Sequence, residues 1–237
     1  MLGTFLEISI TTPDILASVQ FYERLGLRQV PVGETWQHPY AVLSDGRWYL
    51  GLHRYAFPSP SLTFVLPGLR SHIQDLETLG VGFSFRKLAE EEFNEAGFCT
   101  PSGQMITLLE ARTCSPLRPA PGNDSLCGYF REYRLAVIDP VAEGRFWEQL
   151  GFLPTGDQSP SAARVQLSVA HLNVGLQRSM QPQPATLVFV CGRLADSTAQ
   201  FTAHGLDATP VRDWDGAAAL ELRAPERTRL LLRDTDY

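Results

Sequence analysis

The side chains that most often carry metal or nucleophile chemistry are spread through this sequence without a recognised spacing. No two of the four cysteines form a Cys-x-x-Cys pair, and no two histidines stand four residues apart as on a helical metal site. A glycine-rich phosphate loop and a nucleophile-elbow motif are also missing from the sequence. The motifs therefore predict neither a bound metal ion nor a cofactor. The cysteines and histidines concerned are Cys99, Cys114, Cys127, Cys191, His38, His53, His72, His171 and His204.

Charge and hydropathy exclude several classes of partner. The 237 residues carry 20 basic and 26 acidic side chains, giving a net charge of -6 and no basic block. Because nucleic-acid binding needs a clustered positive face, we expect no nucleic-acid partner. Apolar runs fall far short of the roughly 20 residues that span a bilayer, and the first residues lack a basic n-region. We expect a cytoplasmic protein with reduced thiols, and a disulfide between Cys114 and Cys127 stays open.

The chain contains an internal repeat. The sequence FYERLGL at residues 21–27 matches FWEQLGF at residues 146–152, and GLHR at 51–54 matches GLQR at 175–178. Further matches occur in the same order at nearly the same offset. The repeat predicts one domain at residues 1–113, a second at 127–237, and a proline-rich linker at 114–126.

Each repeat divides again into two similar modules. Residues 4–11 alternate as a strand, and Asp14 then opens a helix that ends at Gly26. Short strands follow, and the order restarts with a strand at 61–66. The pattern predicts an α+β fold of four βαβββ modules, arranged as two tandem domains with mixed sheets.

This order, with Asp14, Phe21, Tyr22, Leu25 and Gly26, resembles the vicinal oxygen chelate superfamily. That superfamily includes glyoxalase I, bleomycin-resistance proteins and extradiol dioxygenases. The segment PSGQMI at residues 101–106 is similar to the approach to the family's last strand. The resemblance implies that each pair of modules curls into a cup-shaped sheet, with the site inside and the helices outside.

The resemblance also implies metal-ligand points, which His, Glu or Gln occupy in the family. Carried over by position, the first cup offers Glu7, Leu50, Ser61 and Thr107. The second cup offers Glu132, Thr186, Leu231 and a residue near Val174. One carboxylate among apolar and hydroxyl side chains cannot hold a functional divalent ion. We therefore expect the metal ligands of the family to be lost from both cups.

Strand alternation places a set of polar side chains on the inner face of the first cup. Glu7 is the candidate general base, and Arg134 shares a strand face with Glu132 and could pair with it. Trp48 is expected to face the first cup, where its ring could stack on a planar ligand. The candidate ligand-binding residues are Ser9, Trp48, Leu50, Ser61, Thr63, Thr107, Glu132, Arg134 and Thr186.

Three functions fit these observations. The first is metal-independent binding of a small organic molecule in the first cup, as the bleomycin-resistance branch implies. The second is a metal-free lyase or isomerase that uses Glu7 as general base. The third is a scaffold for protein contacts whose cups are filled by side chains. Two tandem units resemble a homodimer fused into one chain, so either a monomer or a homodimer is expected.

Overall fold

A computed structural model describes residues 2–32, 38–89, 94–111, 125–156, 159, 161–181 and 183–234. The expected linker at 114–126 lies mostly outside these residues, as does Cys114. No helix among the described residues is long and apolar enough to cross a membrane.

The two repeats have the same order of elements. The first repeat comprises β1 (Thr4–Thr11), α1 (Ile15–Arg24), β2 (Arg28–Val30), β3 (Tyr40–Ser44), β4 (Tyr49–His53), β5 (Ser61–Leu66), α2 (Leu69–Thr78), β6 (Phe83–Lys87), β7 (Glu95–Cys99) and β8 (Met105–Glu110). The second comprises β9 (Tyr129–Val137), α3 (Pro140–Gln149), β10 (Leu153–Pro154), β11 (Arg164–Val169), β12 (Leu172–Arg178), β13 (Thr186–Cys191), α4 (Leu194–Ala203), β14 (Thr209–Arg212), β15 (Ala218–Arg223) and β16 (Arg229–Asp234).

Each repeat forms one eight-stranded mixed sheet, which confirms the predicted α+β class. The strand orders are β2-β3-β4-β1-β5-β8-β7-β6 and β10-β11-β12-β9-β13-β16-β15-β14. β5 pairs with β8 and β13 with β16 in parallel, whereas β1 pairs with β5 and β9 with β13 antiparallel. Non-local pairing of this kind lets residues distant in sequence share one sheet face.

The first helix of each repeat begins and ends by the same local chemistry. Asp14 accepts the backbone N–H of Ala17 at 3.0 Å, and Asp139 accepts those of Val141 and Ala142. These carboxylates satisfy N–H groups that the first turn of a helix leaves unpaired. After each helix a glycine takes a left-handed conformation, with φ of +93° at Gly26 and +98° at Gly151. A side chain would be strained there, so these glycines fix where the chain turns back to the sheet.

The chain also divides into two compact units that draw on both repeats. The first unit contains Met1–Ser9, Pro58–Pro116 and Leu135–Gln183, and the second contains Ile10–Phe57, Leu117–Arg134 and Pro184–Tyr237. The boundary predicted between residues 113 and 127 separates the two repeats and their sheets, not the two compact units. It stays a prediction.

Aromatic side chains fill the core of each unit. In the first unit, Phe152 packs against Trp147 at 4.8 Å and against Phe64 at 6.4 Å between ring centroids. In the second, Trp48 stacks on Phe130 at 5.0 Å. Buried aromatic pairs of this kind contribute large apolar area together with a preferred geometry.

Candidate functional site

A set of polar side chains lies on one face of the first sheet, within the first compact unit. We call Glu7, Ser9, Ser61, Thr63 and Thr107 the polar patch. All but Thr107 are buried, with 3% exposure at Glu7 and 0% at Ser61, whereas Thr107 is half-buried. Buried carboxyl and hydroxyl groups are costly unless they are hydrogen-bonded, so their pairing determines what the patch can do.

Strand register brings the patch together. Glu7 of β1 lies opposite Thr63 of β5, and Ser9 lies opposite Ser61. Thr63 in turn lies beside Thr107 of β8. Since alternate side chains of a strand share a face, these residues form one surface over three neighbouring strands. The structure therefore gathers the five first-repeat polar residues singled out from sequence.

The hydrogen bonds within the patch have a direction. Ser9 donates its hydroxyl proton to Oε1 of Glu7 at 2.8 Å, and its oxygen lies 2.7 Å from that of Thr63. Ser9 has one hydroxyl proton, so Thr63 donates to Ser9. Hydrogen-bond donation therefore runs from Thr63 to Ser9 and from Ser9 to Glu7. Ser61 and Thr107 are linked separately, with 3.3 Å between their hydroxyl oxygens.

An aromatic ring lies beside the patch. Gly97 of β7 is opposite Thr107, and Phe85 of β6 is opposite Gly97. A Cβ at Gly97 would stand 2.2 Å from the ring of Phe85, so the ring lies against the bare backbone of this glycine. Next to it, Lys87 forms an ion pair with Glu95. The half-buried ring of Phe85 offers an apolar flank to the polar patch.

The equivalent face of the second sheet carries a chain of ion pairs. Arg134 donates to Glu132 at 2.8 Å, the pairing expected from their shared strand face, and to Asp213 at 2.6 Å. Asp213 also pairs with Arg233 at 2.9 Å, and Arg233 pairs with Asp215 at 2.9 Å. The side chains of Glu132, Arg134 and Asp213 are at most 7% exposed. This face is therefore a charged network shielded from solvent.

Apolar side chains fill more of the same second face. Val188, Ala219 and Leu231 form a buried cluster, and Val211 packs against it. Thr186, named from sequence as a ligand-binding candidate, is buried and lies opposite Arg134.

The two sheet faces differ in side-chain size at positions that correspond in strand register. Four positions of the first face have smaller side chains than the corresponding positions of the second face. They are Ser9, Ser61, Gly97 and Thr107, which correspond to Arg134, Thr186, Glu221 and Leu231. Thr63 stands where the second sheet has Val188, which has a similar volume but no hydroxyl. The first face thus combines smaller side chains with more hydroxyl groups.

Trp48 and Leu50 do not join the polar patch. The backbone N–H of Thr12 donates to the carbonyl of His53 at 2.9 Å, which places His53 beside Thr11. Thr11 shares its strand face with Ser9, so His53 is on the inner face and Leu50, three residues away on β4, is on the other. Trp48 and Leu50 were expected on the inner face of the sheet, and that expectation was wrong. An error of one residue in the alternation of a strand moves each of its side chains to the opposite face.

The positions of Trp48 and of Val174 confirm this correction. Trp48 is 5% exposed and packs on the rings of Phe130 and Phe189 in the core of the second unit. In the second repeat, a Cβ added at Gly144 of α3 would lie 3.8 Å from Leu176 on β12, so Leu176 faces the helix, and Val174 shares that strand face. The expected ligand point near Val174 is thus on the helix-covered side of its sheet.

The donor set does not fit the divalent metal that the family resemblance implies. The polar patch supplies one carboxylate and four hydroxyl groups, and Glu132 in the second face is paired with Arg134. Protein sites for divalent transition ions use thiolate, imidazole and several carboxylate ligands. Within the described ranges, no three or more His, Cys, Asp or Glu residues converge on one point.

Burial and neighbouring groups perturb the pKa values of Cys127 and Asp215. Burial raises the pKa of the Cys127 thiol to about 12, and this cysteine is free. At Asp215, burial favours the protonated form, but the backbone N–H of Ala217 and the guanidinium of Arg233 outweigh it and lower the pKa of the carboxyl group. The first group is inert as a nucleophile at neutral pH, and the second stays ionised.

The members of the ion-pair chain beyond Glu132 and Arg134 were not identified from sequence. Asp213 and Arg233 complete the ion-pair chain, although 79 residues separate Asp213 from Arg134. No local pattern signals that distance. The face of β4 that His53 occupies was not predicted either, because aligning His53 with Gln177 by the repeat does not fix the face.

No family model and no curated protein matches this chain. Solved structures do match it. An extradiol ring-cleaving dioxygenase from B. fuscum aligns with a TM-score of 0.68 at 15% identity, covering 100% of this chain and 72% of that one. The 2,3-dioxygenase LapB from Pseudomonas sp. KL28 aligns at 0.66 and 17%, covering 100% and 94%. A catechol 2,3-dioxygenase aligns at 0.63 and 14%, covering 99% and 88%.

The chain therefore has the fold of the extradiol dioxygenases. That is the vicinal oxygen chelate fold, present as two tandem eight-stranded sheets. At this level of identity the likeness is one of fold, and function must be argued from the residues.

Proposed function

We propose that the chain binds a small planar organic molecule at the polar patch of the first compact unit, without a divalent metal there. The observation that carries this proposal is the difference between the two sheet faces. Where the second face has Arg134, Thr186 and Leu231, the first has Ser9, Ser61 and Thr107. Smaller side chains leave more space above the sheet, and Ser and Thr hydroxyl groups are among the few polar groups that orient a ligand in a pocket.

The direction of the hydrogen bonds selects the ligand's chemistry. The hydroxyl protons of Thr63 and Ser9 point toward Glu7, so Thr63 offers oxygen lone pairs to an incoming group. A ligand that donates a hydrogen bond is favoured there. A phenol meets this requirement, and its ring can lie against Phe85.

The comparisons add a choice of probe. Solved structures with this fold are named as catechol and homoprotocatechuate dioxygenases, and one is a complex with 3,4-dihydroxyphenylacetate. Catechol has adjacent hydroxyl donors on a planar ring. 3,4-Dihydroxyphenylacetate carries an additional carboxylate, so catechol is the probe without an added negative charge.

The test is a titration of the full chain with catechol, followed by protein NMR or calorimetry. Thr63→Val removes one hydroxyl at nearly constant volume, and Thr107→Leu copies Leu231 of the second face. We expect each to weaken binding about tenfold, the cost of a lost hydrogen bond or a filled space. Thr186→Val, the matched control in the second face, should leave binding unchanged. Equal affinity for all four proteins would overturn the proposal.

A metal-free enzyme is the second candidate, favoured by the carboxylate of Glu7. The hydroxyl of Ser9 fixes one oxygen of Glu7 at 2.8 Å, as a positioned general base requires. Such a base could exchange a proton next to a carbonyl group. Deuterium exchange into the methyl group of 4-hydroxyacetophenone, measured by NMR, tests this. Exchange that is catalysed by the wild-type chain and lost in Glu7→Gln supports the enzyme, whereas equal rates exclude it.

A further inference from the structure

Two histidines from separate segments converge in the second compact unit. His38 precedes β3 and His53 ends β4, yet Nε2 of His38 lies 3.1 Å from Nδ1 of His53. His53 is 5% exposed, and His38 is half-buried. Neither residue belongs to the polar patch or to the metal-ligand points that the family resemblance implies.

Aromatic rings surround both imidazoles. Tyr40 packs against His53 with 4.5 Å between ring centroids, and Phe57 meets it edge to face at 5.6 Å. Tyr55 stacks on His38 at 5.3 Å with 24° between the planes. Packing on both rings restricts their rotation, so the two nitrogens are held close together before anything binds.

The separation of the nitrogens suits a shared metal ion. Imidazole nitrogens bind zinc at about 2.0–2.1 Å, and two nitrogens 3.1 Å apart at that distance subtend about 98° at the ion. That angle lies between those of square-planar and tetrahedral geometry. Square-planar nitrogen and oxygen sites are typical of Cu²⁺ and Ni²⁺, and Cu²⁺ binds most tightly in this series.

We propose that His38 and His53 form a two-imidazole site for a late first-row divalent cation, with Cu²⁺ bound most tightly. In the described part of the chain, no third His, Cys, Asp or Glu completes a cluster around them. Water or an anionic molecule from solution would supply the other ligands. This proposal does not depend on the proposed ligand site.

The second repeat provides an internal comparison. The N–H of Arg54 donates to the carbonyl of Pro39, and that of Arg178 donates in the same way to Ala163. This match aligns His38 with Ala162 and His53 with Gln177. The second repeat therefore keeps the backbone arrangement without either imidazole, which shows that the fold of the module does not require the histidine pair.

The simplest competing account is a direct hydrogen bond between two neutral imidazoles, which has a similar nitrogen separation. In that case one ring donates and the other accepts, and no metal is involved. Metal titration distinguishes the two accounts, because a bound ion replaces the shared proton and gives its own spectroscopic signal.

The experiment uses the untagged full chain, stripped of metal with a chelator and desalted. Cu²⁺ is titrated by calorimetry, and the complex is examined by electron paramagnetic resonance. We expect one equivalent of Cu²⁺ with hyperfine structure from two nitrogen ligands. His38→Ala and His53→Gln copy the second repeat, and each should weaken binding about tenfold or more. His171→Ala, which removes an exposed imidazole, is the control and should bind as the wild type does.

Folding of each variant is checked by its circular dichroism and melting temperature. If His53→Gln fails to fold, the half-buried His38 supplies the decisive variants, His38→Ala and His38→Gln. Copper binding that persists in both, or no binding by the wild type at a large molar excess, would overturn the metal site and leave the pair as an internal hydrogen bond.

Discussion

At the scale of single residues, the buried ion pairs of the second sheet face have the largest energetic consequence. Arg134 links Glu132 and Asp213, and both carboxylates are shielded from solvent. Removing the guanidinium would take one ion pair from each of these buried carboxylates, although Asp213 would keep its pair with Arg233 at 2.9 Å. Deleting one member of a buried ion-pair network costs far more free energy of unfolding than replacing the whole network with apolar side chains.

We expect Arg134→Met to lower the free energy of unfolding by about 3–5 kcal/mol. Urea denaturation of the full chain measures this loss. Arg193→Met is the matched control, because Arg193 is 82% exposed and lies 4.0 Å from Asp196. Its loss should be within about 0.5 kcal/mol. A similar small loss for Arg134→Met would show that water reaches the second face and screens it.

Thiol reactivity gives a second test at this scale. Burial raises the pKa of Cys127 to about 12, whereas Cys99 is exposed. Because thiolate is the reactive form, iodoacetamide at about pH 8.5 should label Cys99 and spare Cys127 in the folded chain. Peptide mapping by mass spectrometry reads both sites, and urea should make Cys127 reactive. Labelling of native Cys127 at the rate of Cys99 would contradict its burial.

The same pKa difference predicts a pH dependence of stability. The thiol ionises more easily in the unfolded chain, where its pKa has the ordinary value of 9.0, than in the folded chain, where it is about 12. The contribution of Cys127 is therefore complete below pH 9 and is lost as the pH rises toward 12. Cys127→Ala should flatten that part of the stability curve in urea titrations.

What the sequence revealed about residues depended on local alternation. Glu7 and Ser9 were placed on one face because apolar and polar residues alternate without a break from Leu6 to Thr11. Trp48 and Leu50 were misplaced because the tight turn before β4 offers no marker for which face its strand begins on. The link from Arg134 to Asp213 could not be predicted at all, since only the pairing of strands brings them together.

At the scale of elements, a serine and a glutamate change places between the two compact units. In the second unit, Ser18 and Tyr22 of α1 donate to Glu226 in the turn before β16, at 2.8 and 2.7 Å. In the first unit the glutamate is on the helix instead. There, Glu143 of α3 accepts from Ser102, in the turn before β8, at 2.8 Å and from Trp147 at 3.2 Å.

Both units therefore have a contact between a serine and a glutamate, but the two residues are on opposite elements in the two units. By the repeat, Ser18 corresponds to Glu143 and Ser102 corresponds to Glu226. Each unit therefore has one carboxylate accepting from a serine and from an aromatic side chain on the helix. The carboxylate of Glu226 and burial together raise the pKa of Tyr22 well above its usual value, with burial the larger cause.

A swap experiment tests whether the two contacts are interchangeable. Ser18→Glu alone places a second carboxylate against Glu226 and should cost about 2–3 kcal/mol of unfolding free energy. Adding Glu226→Ser recreates the arrangement of the first unit and should recover at least about 1 kcal/mol. Chemical denaturation measures both variants. Gln20→Glu, exposed on the same helix, is the control, and a double variant no more stable than the single one would reject the idea.

The order of elements was predictable because local signals agree with one another. Asp14 and Gly26 bracket α1 in the sequence as they do in the structure. The reciprocal serine and glutamate carry no such signal. They become related only when a helix from one repeat meets a turn from the other.

At the scale of the whole molecule, each compact unit is built from parts of both repeats. The first unit takes Pro58–Pro116 from one and Leu135–Gln183 from the other. The aromatic contact between Phe64 and Phe152, for example, joins the two repeats within that unit. A repeat alone therefore has its sheet but only part of each core.

Separate expression of residues 1–113 and 127–237 tests this dependence. We expect each half alone to lack the dispersed amide spectrum of a folded protein, since apolar partners such as Phe152 are missing. Mixing or co-expression should restore a folded complex. NMR spectra and the fluorescence of the tryptophans report both states, and two halves that each fold alone would establish the repeats as independent domains.

The repeat was the strongest whole-chain signal in the sequence, and it predicted the two eight-stranded sheets. It could not show how segments of the two repeats combine into compact units, because residue similarity records ancestry and not spatial partnership. The size difference between Ser9 and Arg134 was visible in the aligned repeats. Only the strand register shows that the two residues occupy equivalent positions on the two sheet faces.

The exchanged serine and glutamate also bear on the history of the chain. If two first repeats paired as the unlike repeats do, Ser18 would meet Ser102 and neither would find a carboxylate. If two second repeats did so, Glu143 would meet Glu226, and like charges would repel. Either self-pairing would therefore lose the contact between serine and carboxylate that the unlike repeats make. A return to a self-pairing half would require both members of a pair to change together.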